Sequence, residues 1–330
     1  MSRIKTSMKK YNQVAISILF LALSAPAYSE TQEHPEQTFI WGAVGHNDRP
    51  DRGRAYPYNF FSVSEQMDMV TTAGMNAYRA GCKEEACEKL IEETGKRGMV
   101  FLRSIEMRPD AKLTPEENYR RGYNHGLEEA QKYKGRIKYY EASNELDNWT
   151  KLAGDGSHKV MYNPFRYRMA REFLRGLVDG IHAGDKEARV LIDNAGWCHY
   201  GFLKALWADG VRWDITAFHW YSDQGDIERA GCQAANVAEI HASFGKPVWI
   251  TEYNYRPKKD GYDQEEAGEW VAAFINQVKA VAPKYNIQAA FIYELFDEPD
   301  EGGTEKYYGI IEEDGKRKKT WHSIRESLTD

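Results

Sequence analysis

Eight short apolar runs alternate with helix-patterned segments along residues 30–330, and no glycine-rich phosphate loop follows the first run. Together these predict an α/β chain folded as a single (β/α)8 barrel. The runs are 39–44, 77–80, 99–105, 137–142, 190–193, 214–220, 248–252 and 289–295. They are rich in β-branched and aromatic residues and poor in interior charges, as parallel strands covered on both faces must be. Helical patterns fall at 63–73, 84–97, 116–133, 164–183, 234–244 and 265–281. Ser62 and Thr114-Pro115 are helix starts, because a hydroxyl satisfies the free N–H groups of a first turn. Gly74, Gly98 and Gly135 are stops, because glycine accepts the left-handed conformation that ends a helix. Gly42 and Gly45 do not make a dinucleotide fingerprint. No internal repeat or low-complexity linker divides the chain, so 30–330 reads as one domain.

Residues 1–29 read as a secretory signal peptide. Arg3, Lys5, Lys9 and Lys10 precede an apolar stretch at 14–23 and a small-residue stretch at 24–29. The apolar stretch is too short to span a bilayer. The expected destination is therefore secreted or periplasmic, as a monomer with no membrane association after cleavage. The net charge is −6; the leader carries four basic and no acidic residues, so the remainder stands at −10. That balance excludes nucleic acid as a partner and counts against a densely anionic polymer. Lys316-Arg317-Lys318-Lys319 reads as a solvated turn. The cysteines are Cys82, Cys87, Cys198 and Cys232. Of three pairings, Cys82–Cys87 with Cys198–Cys232 is favoured, since the first two bracket one short loop; buried free thiols are the alternative. Their spacing lacks a tight pair with histidines at ligand distance, so no metal or cofactor is expected.

Function in a barrel lies where strands meet the loops that follow them. Glu145 closes the fourth run and Glu252 the seventh. Paired carboxylates on one face are the minimal equipment for cleaving a glycosidic bond. A general acid needs its pKa raised and a nucleophile must be ionised. Asn144 can bond a sugar hydroxyl, and Arg79 can pair with Glu252 or with Glu141. His219 and Tyr221 share one face of the sixth run. The loops 46–62, 146–163 and 297–307 carry Tyr56, Tyr58, Phe60, Phe61, Trp149, Tyr162 and Tyr307. Trp149 is the aromatic chosen as a sugar platform. Glu106, Glu294, Asp297 and Glu298 read as structural carboxylates, with substrate contact the alternative for Asp297 or Glu298; His46 and Asn47 divide evenly between site and structure.

These segments resemble those of clan A retaining glycoside hydrolases, the cellulase-like superfamily with catalytic glutamates after strands four and seven. Tyr140-Glu141-Ala142-Ser143-Asn144-Glu145 is similar to that clan's E-x-W-N-E-P. Phe218-His219-Trp220-Tyr221 is similar to its strand-six H-x-Y. Lys246-Pro247-Val248-Trp249-Ile250-Thr251-Glu252 is similar to its strand-seven K-P-x-W-x-T-E, and Arg79 to its strand-two arginine. The flavour is nearest family 39, with family 5 next. Ser143 stands where tryptophan is common, Leu146 where proline is, and Tyr293 where many members carry a tryptophan platform. The resemblance implies double displacement on a β-linked polysaccharide or oligosaccharide, with endo action. Glu252 would be the nucleophile and Glu145 the acid/base. Arg79, Asn144, Trp149, His219, Tyr221 and Tyr293 would bind substrate. The competing readings are a carbohydrate-binding barrel without activity and a transglycosylase using the same site.

Overall fold

The eighth strand closes onto the first. The computed structural model describes residues 38–257, 261–299 and 302–329, so the expected leader at 1–29 lies outside the described residues. The barrel strands are β1 (Ile40–Asn47), β2 (Ala77–Cys82), β3 (Val100–Ile105), β4 (Tyr139–Ala142), β5 (Arg189–Ile192), β6 (Ile215–Tyr221), β7 (Val248–Asn254) and β8 (Ile287–Ile292). Every neighbouring pair is parallel, and the closed order follows the sequence. Ile40 sits beside Ala289 across the closing seam and Gly42 beside Ala77 on the other side. Each predicted run holds a strand, with ends shifted by a few residues.

Two packed layers build this arrangement. Ile40, Val44, Leu102, Leu191, Ile215, Trp249 and Phe291 are buried in one apolar cluster drawn from the strands. This cluster fills the barrel, as side chains rather than a pore. A second, larger cluster packs strands against helices, with Phe173, Leu177, Phe218, Trp220, Ile250 and Trp321 among its members. Inner and outer residues alternate along β6, where Ala217 belongs to the first cluster and Phe218 to the second. In β7 the alternation is interrupted. Ile250 lies beside Phe218 but Glu252 lies beside His219, so one extra residue, Thr251, is accommodated as a bulge.

The helices begin as their caps dictate. Ser62 and Glu65 form a reciprocal capping box ahead of Val63–Thr72, and Thr114 and Glu117 do the same ahead of Pro115–Lys132. Pro115–Lys132 lies against Pro164–Gly184 at a close approach. A Cβ on Gly176 would stand 2.1 Å from the Tyr119 carbonyl oxygen, and one on Gly122 would stand 2.3 Å from that of Phe173. The helix expected at 234–244 contracts to Val237–Ala242, because Asn236 caps it late. Tyr200–Ala208, Lys319–Thr329 and the short Leu146–Thr150 are helices that the sequence reading left out. Tyr200–Ala208 buries six of its nine residues and so shows no polar stripe to mark it. Both favoured disulfides, Cys82–Cys87 and Cys198–Cys232, are present, as suits an oxidising compartment. No described helix is long and apolar enough to cross a membrane.

Candidate active site

At the carboxyl ends of the strands lies a cavity of about 570 Å³, lined by Arg79, Asn144, Glu145, Tyr221, Glu252 and Tyr293 among others. A larger cleft, about 950 Å³, runs beside Phe61, Lys83 and Glu93 and contains neither predicted glutamate. Both predicted glutamates line the smaller one.

Glu252 is held at three points. Arg79 Nη1 donates to its Oε1 at 2.9 Å and the Tyr221 hydroxyl donates to its Oε2 at 2.6 Å. His219 Nδ1 lies 3.3 Å from the same Oε2. Arg79 serves both carboxylates that the sequence left open, because its Nε donates to Glu141 while Nη1 reaches Glu252. Its Nη2 donates to Asn144 Oδ1 at 2.7 Å. A guanidinium offers its donors in a rigid planar fork, here to three separate partners, and this fork fixes the outlet of β2, β4 and β7 together.

Glu145 stands opposite. Its Oε1 is 2.9 Å from His219 Nδ1, and its Oε2 accepts from Asn148 at 2.9 Å. Its side chain is 26 % exposed, against 7 % for Glu252. The backbone here is strained: Ser143 has φ 73° and Glu145 φ 48°, both left-handed without being glycine. Neighbours maintain the strain. The Ser143 hydroxyl donates to the Met107 carbonyl, and the Glu145 N–H donates to Asp193 Oδ1. Such conformations persist where surrounding contacts over-determine them, as at ligand sites.

Electrostatics center on His219, which is fully buried beneath both glutamates. Burial alone would lower its pKa, but the charge of Glu252, the contact with Asp193 and the bond to Glu145 raise it well above the ordinary value. It is therefore an imidazolium, donating from Nδ1 between Glu145 and Glu252. Its Nε2 faces Asp193 Oδ2 at 3.3 Å, an ion pair in range but not an aligned hydrogen bond. Burial pushes the Asp193 carboxyl up to about 7. For Glu145 burial also acts upward, but the hydrogen bond and charge of His219 outweigh it and hold the carboxyl below its usual range. The sequence expectation of a raised Glu145 thus fails in the free site: the proton sits on the neighbouring imidazole.

The other expected residues divide. Asn144, Tyr221 and Tyr293 line the cavity; His219 lies under it rather than in its wall. Trp149 does not face it. The short helix Leu146–Thr150 turns Asn148 toward Glu145, and a residue one step on points about 100° away. Arg166 accordingly covers the Trp149 ring from outside. The tryptophan lining the cavity is Trp197, after β5, which the sequence reading missed along with Asn148, Arg256 and Tyr308. A tryptophan in the loop after strand five was the available signal. Tyr56 and Tyr58 are buried, donating to Glu298 and Glu294. Glu298 also accepts from His46 and Arg49; the bond and charge of His46, with the Tyr56 bond, pull its carboxyl down to about 2 against burial, and Asp297 is bound by Lys318. Asn47 bonds Gln66, a structural role, whereas His46 and Glu106 reach the cavity. Among the described residues, three groups of one histidine and two carboxyls lie close enough to hold a cation: His46–Glu294–Glu298, Glu141–Asp193–His219 and Glu145–His219–Glu252. In each, Arg49 or Arg79 already pairs with one of the carboxylates.

Residues 188–303 match the family model of the glycosyl hydrolase catalytic core, a span that includes His219, Tyr221, Glu252 and Tyr293. Among solved structures, a family 39 glycoside hydrolase from the gut symbiont Bacteroides cellulosilyticus WH2 is similar at 13% identity over 88% of this chain, with TM-score 0.64. The chain spans 63% of that structure's length. The Ignisphaera aggregans GH53 catalytic domain is similar at 13% identity over 88% of this chain and 96% of its own, with TM-score 0.65. The family 1 β-glucosidase from Thermotoga maritima is similar at 12% identity over 89% of this chain and 98% of its own, with TM-score 0.61. No curated protein sequence matches. The matched core and the barrel define the class, an O-glycosyl hydrolase on a (β/α)8 scaffold. The structures that share its fold come from clan A families, with family 39 among them.

Proposed function

We propose that this chain is a retaining glycosidase that cleaves β-linked bonds of an oligosaccharide or polysaccharide, internally, outside the cytoplasm. The observation that carries the reading is a separation. One carboxylate oxygen of Glu145 and one of Glu252 lie within 4.8 Å of each other. Retaining enzymes hold their carboxyls about 5–5.5 Å apart, whereas inverting ones leave room for water at roughly 6.5–9.5 Å.

In the first step a Glu252 oxygen bonds the anomeric carbon while the bond to the leaving oxygen breaks. Arg79 and Tyr221 keep Glu252 anionic and aimed. Glu145 delivers a proton to the leaving oxygen, having drawn it from His219 across their 2.9 Å contact once substrate displaces water from the carboxyl. In the second step Glu145 takes a proton from water, whose oxygen displaces Glu252 from the anomeric carbon, and passes that proton back to His219 across the same contact. Asn144, its amide oxygen held by Arg79, turns its NH2 group toward a sugar hydroxyl. The cavity falls in the size range of ligand sites, roughly 300–1,000 Å³. The test is proton NMR of the first product formed from a cleaved glycan: a β-anomer is expected, and an α-anomer would overturn the mechanism. Product lengths from a polymer distinguish internal from terminal cleavage.

A further inference from the structure

Arg256, two residues past β7, is the part of this cavity that the reaction does not use. Its backbone N–H donates to the Ser222 hydroxyl at 2.9 Å, which fixes the loop after β7 to the end of β6. Its guanidinium lies 4.9 Å from the Trp197 ring centre and 4.6 Å from that of Tyr221, so both rings flank it. Its Nη1 faces Asp223 at 3.3 Å, a pair 30 % and 40 % exposed and therefore weak. Its Nε is buried without a hydrogen-bond partner, and among the described residues lining the cavity no other side chain has such an atom. A buried donor left unmade costs free energy that a ligand oxygen can recover. Tyr221 links this arginine to the reacting centre: one side of its ring meets the guanidinium, and its hydroxyl is bonded to Glu252. Arg108, exposed on the cavity wall, is a further cation beside Arg49 and Arg79, which are paired with Glu298 and with Glu141 and Glu252. Glu106 and Glu305 line the same wall but are exposed, where solvent and salt screen them.

We infer that Arg256, clasped between Trp197 and Tyr221, anchors the carboxylate of a uronic acid residue at the cleavage site, so that the substrate is an acidic glycan. A planar guanidinium edge matches a carboxylate's two oxygens, and the flanking rings hold that edge rigid. The net charge, −6 for the whole chain and −10 without residues 1–29, opposes a densely anionic polymer only at long range. A glycan in which neutral sugars separate the uronates satisfies both the acidic surface and the cationic anchor. The inference rests on the glycosidase reading.

The experiment pairs β-linked oligosaccharides containing glucuronate, galacturonate or mannuronate with their carboxyl-reduced counterparts. Hydrolysis is followed with the wild-type chain, and binding by calorimetry with Glu252→Gln. At least one acidic member should be cleaved with kcat/KM ten or more times that of its reduced partner. Arg256→Met should lower that acid-to-neutral ratio at least tenfold, and Arg256→Lys should recover part of it. Equal use of acidic and reduced partners, or equal loss on both in Arg256→Met, overturns the inference while leaving the glycosidase intact. If nothing is cleaved, the glycosidase reading fails, and binding decides separately: tight acid-selective binding that requires Arg256 sustains the anchor, and its absence ends it.

Discussion

Arg79 and Glu252, 173 positions apart in sequence, meet through an Nη1–Oε1 hydrogen bond of 2.9 Å. The same guanidinium holds Glu141 and Asn144, so one side chain from β2 orders the ends of β4 and β7. Arg79→Met removes the arginine that pairs with two fully or nearly buried carboxylates, Glu141 and Glu252. Stability should fall by about 3–5 kcal/mol, the typical loss when a buried pair is broken from one side. Denaturant unfolding measures this; a loss below 1 kcal/mol would show that Glu141 and Glu252 find other partners.

Replacing either glutamate separates their roles. Glu252→Ala should abolish turnover on every glycan. Glu145→Ala should cost roughly 10²–10⁴-fold in kcat, the usual share of proton transfer. The loss should shrink on substrates with a good leaving group, such as nitrophenyl glycosides, which need no proton. Near-wild-type turnover by Glu252→Ala would sink the assignment.

Asp193 predicts a pH dependence with a definite sign. Folded, it takes up a proton near pH 7; unfolded, near 3.9. Between those values the folded chain holds the extra proton, so this group's contribution falls as pH rises through the window. Asp193→Asn lacks the effect. Comparing denaturation at pH 4.5 and 7.5, wild type should lose on the order of 1–3 kcal/mol relative to the variant, discounted from about 1.4 kcal/mol per pKa unit because His219 shares the charge. An unchanged difference would place the proton elsewhere.

Gly176→Ala puts a Cβ where the Tyr119 carbonyl now stands, at 2.1 Å. Overpacking of this kind costs roughly 1–3 kcal/mol. The melting temperature should drop while kcat per folded molecule holds, since this helix pair is remote from the cavity lining.

The Cys198–Cys232 bridge closes a span of 34 residues beside Trp197. Changing both cysteines to serine should cost about 3–4 kcal/mol on a chain-entropy estimate. It should also raise KM more than it lowers kcat, because the bridge fixes Trp197's loop and not the glutamates.

Much of this was legible in the sequence because barrel strands are local signals. Each apolar run is bounded by its own cap or glycine, so eight elements and the two glutamates could be located without knowing their partners. The surroundings of those glutamates were less accessible. Trp149 was chosen because it follows Glu145 closely, but a helical turn carried it away and brought Asn148 instead. Trp197 and Arg256 meet only when the loops after β5 and β7 converge, a juxtaposition no single segment encodes. The state of Glu145 was misjudged for the same reason: burial can be guessed from a strand end, but the imidazolium beneath it belongs to another strand.

The bulge at Thr251 makes the site a matter of counting. From Trp249, strict alternation would send Thr251 inward and Glu252 to the helix side; the extra residue reverses that parity. Deleting Thr251 would remove the extra residue and leave the carboxylate beside His219 by plain alternation, whereas straightening the bulge with every residue kept would turn the proposed nucleophile's carboxylate into the helical layer. Frame, and not merely identity, is what this strand must conserve, and substitution scanning alone would never detect it.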